Sequence, residues 1–281
     1  MTGFSPGWLS LREPCDHRAR NAEIRDAVVA AFTGRRHISV VDLACGTGSN
    51  LRALAPYLPE RQTWHLVDSD PILLSAAHEE LITFADNVKS IDPLSLHKSG
   101  RLIKVCFGRL DLRTELAEAL DGGVDLVTAA AFFDLVSPDW IGAFCEELSV
   151  RNLPLYTVLN YSGEETWRPP HAADAAMLSA FHGHQTTDKG FGPAVGPAAT
   201  SKLQQTLKDH GYNVCVGPSP WRLNKKDAPL ISVLVDGVTK AVSETGLVPQ
   251  TVFANWRSAR MSATECEIGH IDLFAFPYGR R

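Results

Sequence analysis

Residues 38–51 read Ile38-Ser-Val-Val-Asp42-Leu-Ala44-Cys-Gly46-Thr-Gly48-Ser-Asn50-Leu51. A β-branched apolar run ends in an acid, and two glycines spaced two apart precede a helix-compatible sequence. This pattern indicates a buried parallel strand that turns tightly into a helix, and such turns hold nucleotide-like ligands. Glycine at both positions permits unusual φ angles and lets a ligand approach the backbone closely.

The rest of the chain alternates strands with helices around this turn. Strands are predicted at 38–43, 63–70, 102–107, 124–133 and 153–159, with helices at 49–57, 71–84, 114–120 and 138–149. Five such alternations predict an α/β fold with a doubly wound parallel sheet. An N-terminal helix at 16–33 is predicted to cover one end of the sheet, and the polar segment 86–100 is predicted to be a loop.

The regular alternation of strands and helices ends after the fifth strand. Residues 160–200 are rich in aromatic residues, histidine, glycine and proline, and they predict a helical and loop cap inserted after strand five. A helix at 199–210, a strand at 212–216, helices at 227–243 and 249–261, and a strand at 268–276 follow. The prediction is therefore one domain spanning 1–281, with a mostly parallel sheet of seven strands.

The pattern Asp42-x-Ala44-x-Gly46-x-Gly48 resembles the first motif of class I S-adenosylmethionine (SAM)-dependent methyltransferases. It fits the dinucleotide fingerprint G-x-G-x-x-G less well, because the third glycine would fall at Leu51. The likeness to the family covers about 36–162 and 199–277. It implies a seventh strand that runs antiparallel between the fifth and the sixth, and SAM as the cofactor.

The resemblance also assigns roles around the predicted turn. The backbone of the turn would line the aminoacid end of SAM, and Asp42 would favour its ammonium group, directly or through water. Asp111 matches the acid that accepts a hydrogen bond from the adenine amino group, although a helix cap is the alternative. The segment over which the methionine part lies corresponds to Ala130, Ala131 and Phe132.

Spacing and charge suggest further contacts. Asp68 lies 22 residues after Gly46 at the end of the adjacent strand, where a carboxylate can bind a ribose diol. Asp70 is the alternative, although it more simply caps the next helix. The predicted cofactor residues are Asp42, Ala44, Gly46, Thr47, Gly48, Asn50, Asp68, Ser69, Asp111, Leu112, Ala130, Ala131, Phe132 and Arg20.

Arg20 belongs to a basic cluster with Arg12 and Arg18. One of these arginines could pair with the SAM carboxylate or with an anionic substrate. A solvated helix face is the alternative interpretation.

The acceptor side is less defined. Family members that methylate amines of bases or of glutamine carry Asn/Asp-Pro-Pro-aromatic after strand four, whereas this chain has Phe132-Phe-Asp134-Leu-Val136. The predicted catalytic residues are Asp134, Tyr161, His182 and His184, and other substrate-side candidates are Trp167, His171, Asp188 and Trp221.

Residues 182–188 read His182-Gly-His184-x-x-x-Asp188, which has the spacing of two metal ligands and an acid. No third ligand is evident, so we predict no metal site. The glycine- and proline-rich stretch 190–197 is either a lid over the substrate or a fixed loop anchored by Phe181 and Phe191.

Composition limits the partners. The chain has 281 residues, 44% of them hydrophobic and 21% charged, with a formal net charge of −5. This balance disfavours a nucleic-acid partner, which needs a basic face. No apolar run is long enough for a membrane span, and no signal peptide is recognisable. Six scattered cysteines are expected to be free thiols in the cytoplasm.

The sequence therefore predicts a SAM-dependent methyltransferase that acts on a small molecule by in-line displacement at an O, N or S nucleophile. Two alternatives remain at this stage: an NAD(P)-dependent Rossmann oxidoreductase and a SAM-binding protein without catalysis. A homodimer is also left open.

Overall fold

The computed structural model describes residues 4–279. Helices in this range are α1 (Pro6–Ala19), α2 (Ala22–Ala31), α3 (Ser49–Leu54), α4 (Pro71–Phe84), α5 (Leu116–Ala119), α6 (Pro138–Arg151), α7 (Asp174–Gln185), α8 (Ala199–Asp209), α9 (Ala228–Thr245) and α10 (Gln250–Arg260). Strands are β1 (His37–Leu43), β2 (Arg61–Asp68), β3 (Asn87–Ile91), β4 (Leu94–Lys98), β5 (Arg101–Arg109), β6 (Leu126–Ala130), β7 (Leu155–Arg168), β8 (Tyr212–Pro218), β9 (Trp221–Asn224) and β10 (Glu265–Pro277).

The strands form one sheet in the order β3-β4-β5-β2-β1-β6-β7-β10-β8, with β9 paired to β10. From β5 to β7 every neighbouring pair is parallel. β10 lies between β7 and β8 and is antiparallel to both. The predicted α/β class, the mostly parallel sheet and the position of the antiparallel seventh strand are confirmed. Over residues 4–279 the sheet has ten strands rather than seven, because β3, β4 and β9 extend it.

Helices cover both faces of the sheet. On β1 the side chains of Val40 and Val41 are both buried, but they belong to two separate apolar clusters on opposite faces. Alternate residues of a strand point to opposite faces, so a strand buried on both sides reads as a continuous apolar run. This arrangement places the carboxyl end of β1, with its glycine turn, in the interior. No helix within residues 4–279 is long and apolar enough to span a bilayer.

The predicted loop at 86–100 was wrong, because this segment contains the hairpin β3–β4. Leu94 and Leu96 are buried, and β4 pairs with the edge of β5, Leu96 opposite Ile103. Ser95 between these leucines and His97 after them are polar and less buried, and this two-residue alternation is the signal of a strand.

The predicted helix at 16–33 was also wrong, because two helices occupy the N-terminal region. Ser5 caps α1 by accepting a hydrogen bond from the Trp8 backbone, and Pro6 follows at the first helical position. The chain then turns at Asn21, whose side chain caps α2 and whose backbone N–H donates to Asp272 at 2.8 Å. The predicted cap at 160–200 needs a correction of the same kind, since its first residues continue β7 as far as Arg168.

Helix α1 is held on the glycine turn by one row of side chains. Glu13 forms a bidentate ion pair with Arg52, which also donates to the Thr47 carbonyl at 2.7 Å. One turn further along, the His17 imidazole contacts the Ser49 hydroxyl at 3.1 Å. Because both contacts come from one helical face, the helix lies across the turn instead of projecting into solvent.

We predict that Arg52→Met lowers the free energy of unfolding by about 3 kcal/mol, because it removes one partner of a buried ion pair. The Arg52 side chain is only 7% exposed. Arg18→Met is the matched control, since Arg18 is 53% exposed in its pair with Asp227 and its loss should cost less than about 1 kcal/mol. Denaturant unfolding measures both values, and equal losses in the two variants would contradict the proposed docking.

Candidate functional site

A cavity of about 520 Å³ opens at the carboxyl ends of β1, β2 and β6. In an open parallel sheet this edge is where ligands bind. Eleven of the fourteen predicted cofactor residues line it: Arg20, Ala44, Gly46, Thr47, Asp68, Ser69, Asp111, Leu112, Ala130, Ala131 and Phe132. The structure therefore brings together residues that are spread over more than a hundred positions of the chain.

The other three predicted residues are Asp42, Gly48 and Asn50, which lie below the surface of the cavity. The Asn50 amide donates to the Asp42 carboxylate at 2.7 Å and to the Thr128 hydroxyl at 2.8 Å, while its oxygen accepts from Arg20 at 2.8 Å. Asp42 is 1% exposed. Its influence on a ligand would therefore pass through Asn50 and Arg20.

Burial governs the charge of Asp42. Removal from water raises the pKa of this carboxyl to about 7, against the opposing effects of the Asn50 hydrogen bond and the Arg20 charge. A carboxyl group with a pKa near 7 is partly protonated at neutral pH, so a charged group placed beside Asp42 would change how much of it is ionised.

The glycines of the turn have the backbone conformation that the sequence predicts. Gly46 has a φ of +55° and Gly48 a φ of +77°. A Cβ atom at position 46 would lie 2.9 Å from the Leu9 side chain of α1. Glycine at 46 thus supplies the left-handed turn and also lets α1 close over it.

Asp68 is fixed at the end of β2 by two backbone donors. The amide of Gly46 donates to one carboxylate oxygen and the amide of Asp70 to the other, each at 3.0 Å. Burial raises the pKa of Asp68, and these hydrogen bonds oppose the shift. Asp70 itself caps α4, since its carboxylate accepts a hydrogen bond from the Ile72 backbone N–H at 2.8 Å. This is the helix-cap role that the sequence offered as the simpler interpretation of Asp70.

Three buried polar atoms near the turn have no hydrogen-bond partner among the described residues. They are Arg20 Nε, Thr47 Oγ1 and Asp42 Oδ2. Unsatisfied buried groups of this kind are costly and need an explanation. Arg20 and Thr47 line the cavity, so a carboxylate bound there could accept hydrogen bonds from both.

The opposite end of the cavity is apolar. Leu110, Leu112, Phe132 and Phe191 line it, and the Trp140 indole fixes the wall by donating to the Leu112 carbonyl at 3.0 Å. Such a surface suits a planar aromatic ring.

Asp111 lies at the rim of this apolar end, but its carboxylate is held by Arg113. That hydrogen bond lowers the pKa of Asp111. The predicted adenine contact would therefore share the carboxylate with a guanidinium.

Four further residues line the cavity, and sequence reasoning had given a candidate ligand or lid role to Arg12 and Phe191 but none to Asp16 and Lys189. Arg12 and Asp16 of α1 line the cavity as an ion pair at 2.9 Å, and Asp16 also accepts from Trp221 at 3.0 Å. Lys189 and Phe191 approach from the segment after α7. The four-residue spacing of Arg12 and Asp16 was a readable signal for a helical pair. Arg18, in contrast, pairs with Asp227 away from the cavity lining described here.

Within residues 4–279, none of the four predicted catalytic residues is among those that line the cavity. Tyr161 donates to Glu165 at 2.8 Å, and His182 lies 3.2 Å from the same hydroxyl. His184 instead pairs with Glu244 at 3.0 Å on the surface. These contacts place two of the four candidates in one polar cluster and separate His184 from it.

Asp134 lies two residues after Phe132, which lines the cavity. Its Oδ1 is buried without a hydrogen-bond partner among the described residues, and burial raises the pKa of Asp134 to about 6. It is the predicted catalytic residue nearest in sequence to the cavity wall. A carboxylate with that pKa suits proton transfer near neutral pH.

The segment with metal-ligand spacing is divided among separate contacts. His182 faces Tyr161, His184 faces Glu244, and Asp188 accepts from the backbones of Gly190 and Gly192. No group of three or more histidine, cysteine, aspartate or glutamate side chains within residues 4–279 has the arrangement of a metal site.

Comparisons with known proteins agree with this fold. A cyclopropane-fatty-acyl-phospholipid synthase-like protein from Lactobacillus casei is 14% identical with a TM-score of 0.55, over 95% of this chain and 92% of that one. A protein provisionally named as a methyltransferase, from Bacillus halodurans, is 11% identical with a TM-score of 0.51, over 90% and 98%. No family model and no curated protein matches the sequence. The chain has the fold of class I SAM-dependent methyltransferases.

We predict that Asp42→Asn gains stability relative to the wild type as pH rises. The folded protein holds a proton on Asp42 up to about pH 7, whereas the unfolded chain releases it near pH ~4. Stability from this group is therefore lost on raising the pH through that window. Between about pH 5.5 and about pH 8 the variant should gain roughly 2 kcal/mol on the wild type in denaturant unfolding.

The control for that measurement is Asp26→Asn on the exposed face of α2. It makes the same chemical change without touching the buried network. A stability difference between Asp42→Asn and wild type that stays constant with pH would contradict the buried, proton-exchanging carboxyl.

Proposed function

We propose that this protein is a SAM-dependent methyltransferase that transfers the methyl group to a small-molecule acceptor. The observation that carries this proposal is the arrangement at the glycine turn. The strand order β5-β2-β1 puts the fixed carboxylate of Asp68, at the end of β2, between the apolar residues that follow β5 and Thr47, which follows β1. Thr47 and Arg20 each have an unsatisfied donor and line the same cavity. SAM has a ribose diol between an adenine ring and an aminoacid end, which is the same order of groups.

Each part of the cofactor has a candidate partner. Asp68 would accept hydrogen bonds from the ribose hydroxyls, and Arg20 and Thr47 would donate to the carboxylate. The adenine would lie among Leu110, Leu112 and Phe132. Bound SAM supplies an electrophilic methyl group on a sulfonium centre. The small side chains of Ala130 and Ala131 would leave room for the methionine part beside β6.

The cover over the cavity has a second role in this proposal. Methyl transfer requires that the acceptor be aligned and that water be excluded. Leu9 and Arg12 of α1 and Phe191 of the segment after α7 line the cavity together with the strand ends. A cavity lined by these two elements as well as by the strand ends supports a small acceptor, and the net charge of −5 argues against a polyanionic one.

A hydroxyl acceptor would also need a base. Asp134 is our candidate, because its buried and unpartnered oxygen belongs to the segment that follows the cavity wall at Phe132. Tyr161 and His182 form the second candidate group, with Glu165 orienting the tyrosine hydroxyl. His184 is the weakest candidate, since it already pairs with Glu244.

The antiparallel strand β10 between β7 and β8 supports a methyltransferase over a Rossmann oxidoreductase. Leu51 supports the same choice, because the dinucleotide fingerprint G-x-G-x-x-G would have its third glycine at this position. A SAM-binding protein without catalysis would bind the cofactor equally well and would differ in releasing no S-adenosylhomocysteine. We also propose a cytoplasmic location, because all six cysteines are free thiols.

We predict that Asp68→Ala weakens SAM binding by ~1.5–3 kcal/mol, because it removes charge-assisted hydrogen bonds. Asp70→Ala is the matched control: it lines the same cavity but serves as the cap of α4. The control should lose ~1 kcal/mol of stability and little SAM affinity. Titration calorimetry measures the affinity, and an unchanged affinity for Asp68→Ala would rule out the ribose assignment.

A further inference from the structure

A second cavity, of about 800 Å³, lies at the same edge of the sheet beyond β7, β8 and β10. It shares no described lining residue with the cofactor cavity. The wall between them contains Trp221, whose ring lies 4.9 Å from the Arg12 guanidinium on one side and 5.0 Å from the His270 ring on the other. Arg12 lines the first cavity and His270 the second, so the two spaces are neighbours rather than one.

A β-bulge shapes this second cavity. His270 pairs with Tyr161 and Ile268 pairs with Glu165, so three residues of β7 lie opposite one residue of β10. Residues 162–164 leave the regular ladder, and Gly269 provides the space opposite them, because a Cβ at position 269 would lie 2.2 Å from the Ser162 hydroxyl. Bulges of this kind redirect side chains and are frequent beside functional sites.

Three polar atoms that belong to lining residues of this cavity are buried and lack a hydrogen-bond partner among the described residues. They are Ser162 Oγ, Thr200 Oγ1 and His270 Nδ1. Thr200 is 4% exposed and His270 is 7% exposed. Burial and the Arg12 charge lower the pKa of His270 to about 3, so its imidazole is neutral at physiological pH. Two hydroxyls and a neutral imidazole can each donate or accept a hydrogen bond, which suits a hydroxylated ligand.

The charge of the lining is negative. It includes the carboxylates of Glu164, Glu165 and Glu267. The guanidinium present in the described lining, that of Arg222, is paired with Glu267 at 3.1 Å. Glu165 accepts hydrogen bonds from Tyr161 and Trp167, and burial raises the pKa of its carboxyl. The carboxylate of Glu164 therefore carries the negative charge that favours a cationic group on the ligand.

We propose that the second cavity is a binding site for a small amino alcohol. Its ammonium group would face Glu164, and its hydroxyls would bond to Ser162, Thr200 and His270. The site does not depend on the proposed function, because its occupation needs no SAM and the four residues assigned to the ligand, Ser162, Glu164, Thr200 and His270, have no role in that function.

The probe that tests this proposal is serinol, a three-carbon diol with a central ammonium group. Glycerol is the matched neutral compound, since it replaces the ammonium by a hydroxyl. Ligand-observed NMR titration of the full chain without SAM should show saturable serinol binding. Glycerol should bind roughly tenfold more weakly, because it lacks the charge-assisted hydrogen bonds. Equal binding of the two compounds, or no saturable binding of serinol, would overturn the proposal.

Two variants locate the probe. Thr200→Val keeps the side-chain shape and should weaken serinol binding several-fold, whereas Thr83→Val on α4 should leave it unchanged.

Glu164→Gln should reduce the preference for serinol over glycerol, with Glu60→Gln as the control on the exposed surface. Thermal unfolding checks that each variant is folded. Wild-type serinol affinity in Thr200→Val, or wild-type preference in Glu164→Gln, would place the probe elsewhere and contradict the site.

Discussion

The site depends on one buried carboxylate at the end of β1. Asp42 lies in the interior, where a polar group without partners is strongly destabilising. Asn50 supplies its hydrogen bond, and this requires the chain to return from the strand within eight residues. Gly46 and Gly48 make that return possible by adopting left-handed conformations. The tight turn therefore brings Asn50 within hydrogen-bond distance of one oxygen of Asp42.

The same network fixes two further elements. The Asn50 amide also donates to Thr128 on β6, and its oxygen accepts from Arg20 at the end of α1. One side chain thereby connects β1, β6 and the N-terminal segment. Glu13 and Arg52 reinforce the docking of α1 from the other side of the turn. The floor of the cavity and part of its cover are therefore held by a continuous set of polar contacts, which is a requirement for a preorganised site.

The parts of the fold that the sequence predicts well are those with strong local periodicity or a strong local constraint. The apolar run of β1, the glycine turn and the caps Asp70-Pro71 and Ser137-Pro138 are local signals, and they appear in the structure where expected. The same cap signal, Ser5-Pro6, begins α1, so the N-terminal helical region starts ten residues before the predicted helix at 16–33. The hairpin β3–β4 was missed because its polar residues outweighed the alternation of Leu94 and Leu96.

The residues of the candidate site also fall into two groups, those that the sequence could locate and those that it could not. Residues next to the strand ends, such as Asp68 and Ala130, could be located because the topology itself brings strand ends together. The positions of Tyr161, His182 and His184 could not be located from the sequence, because they depend on the packing of α7 and on the bulge of β7. No local pattern specifies contacts of that kind, which arise only once distant elements pack. The second cavity is hidden in the sequence for the same reason.

Titration calorimetry of the purified protein with SAM and, in a separate titration, with NADH tests the central claim most directly. The fixed Asp68, the apolar pocket and the free donors of Arg20 and Thr47 predict micromolar binding of SAM and no response to NADH. A folded, ligand-free sample that does not bind SAM, or that binds NADH in its place, would contradict the account and require a different ligand for the Gly46–Gly48 turn.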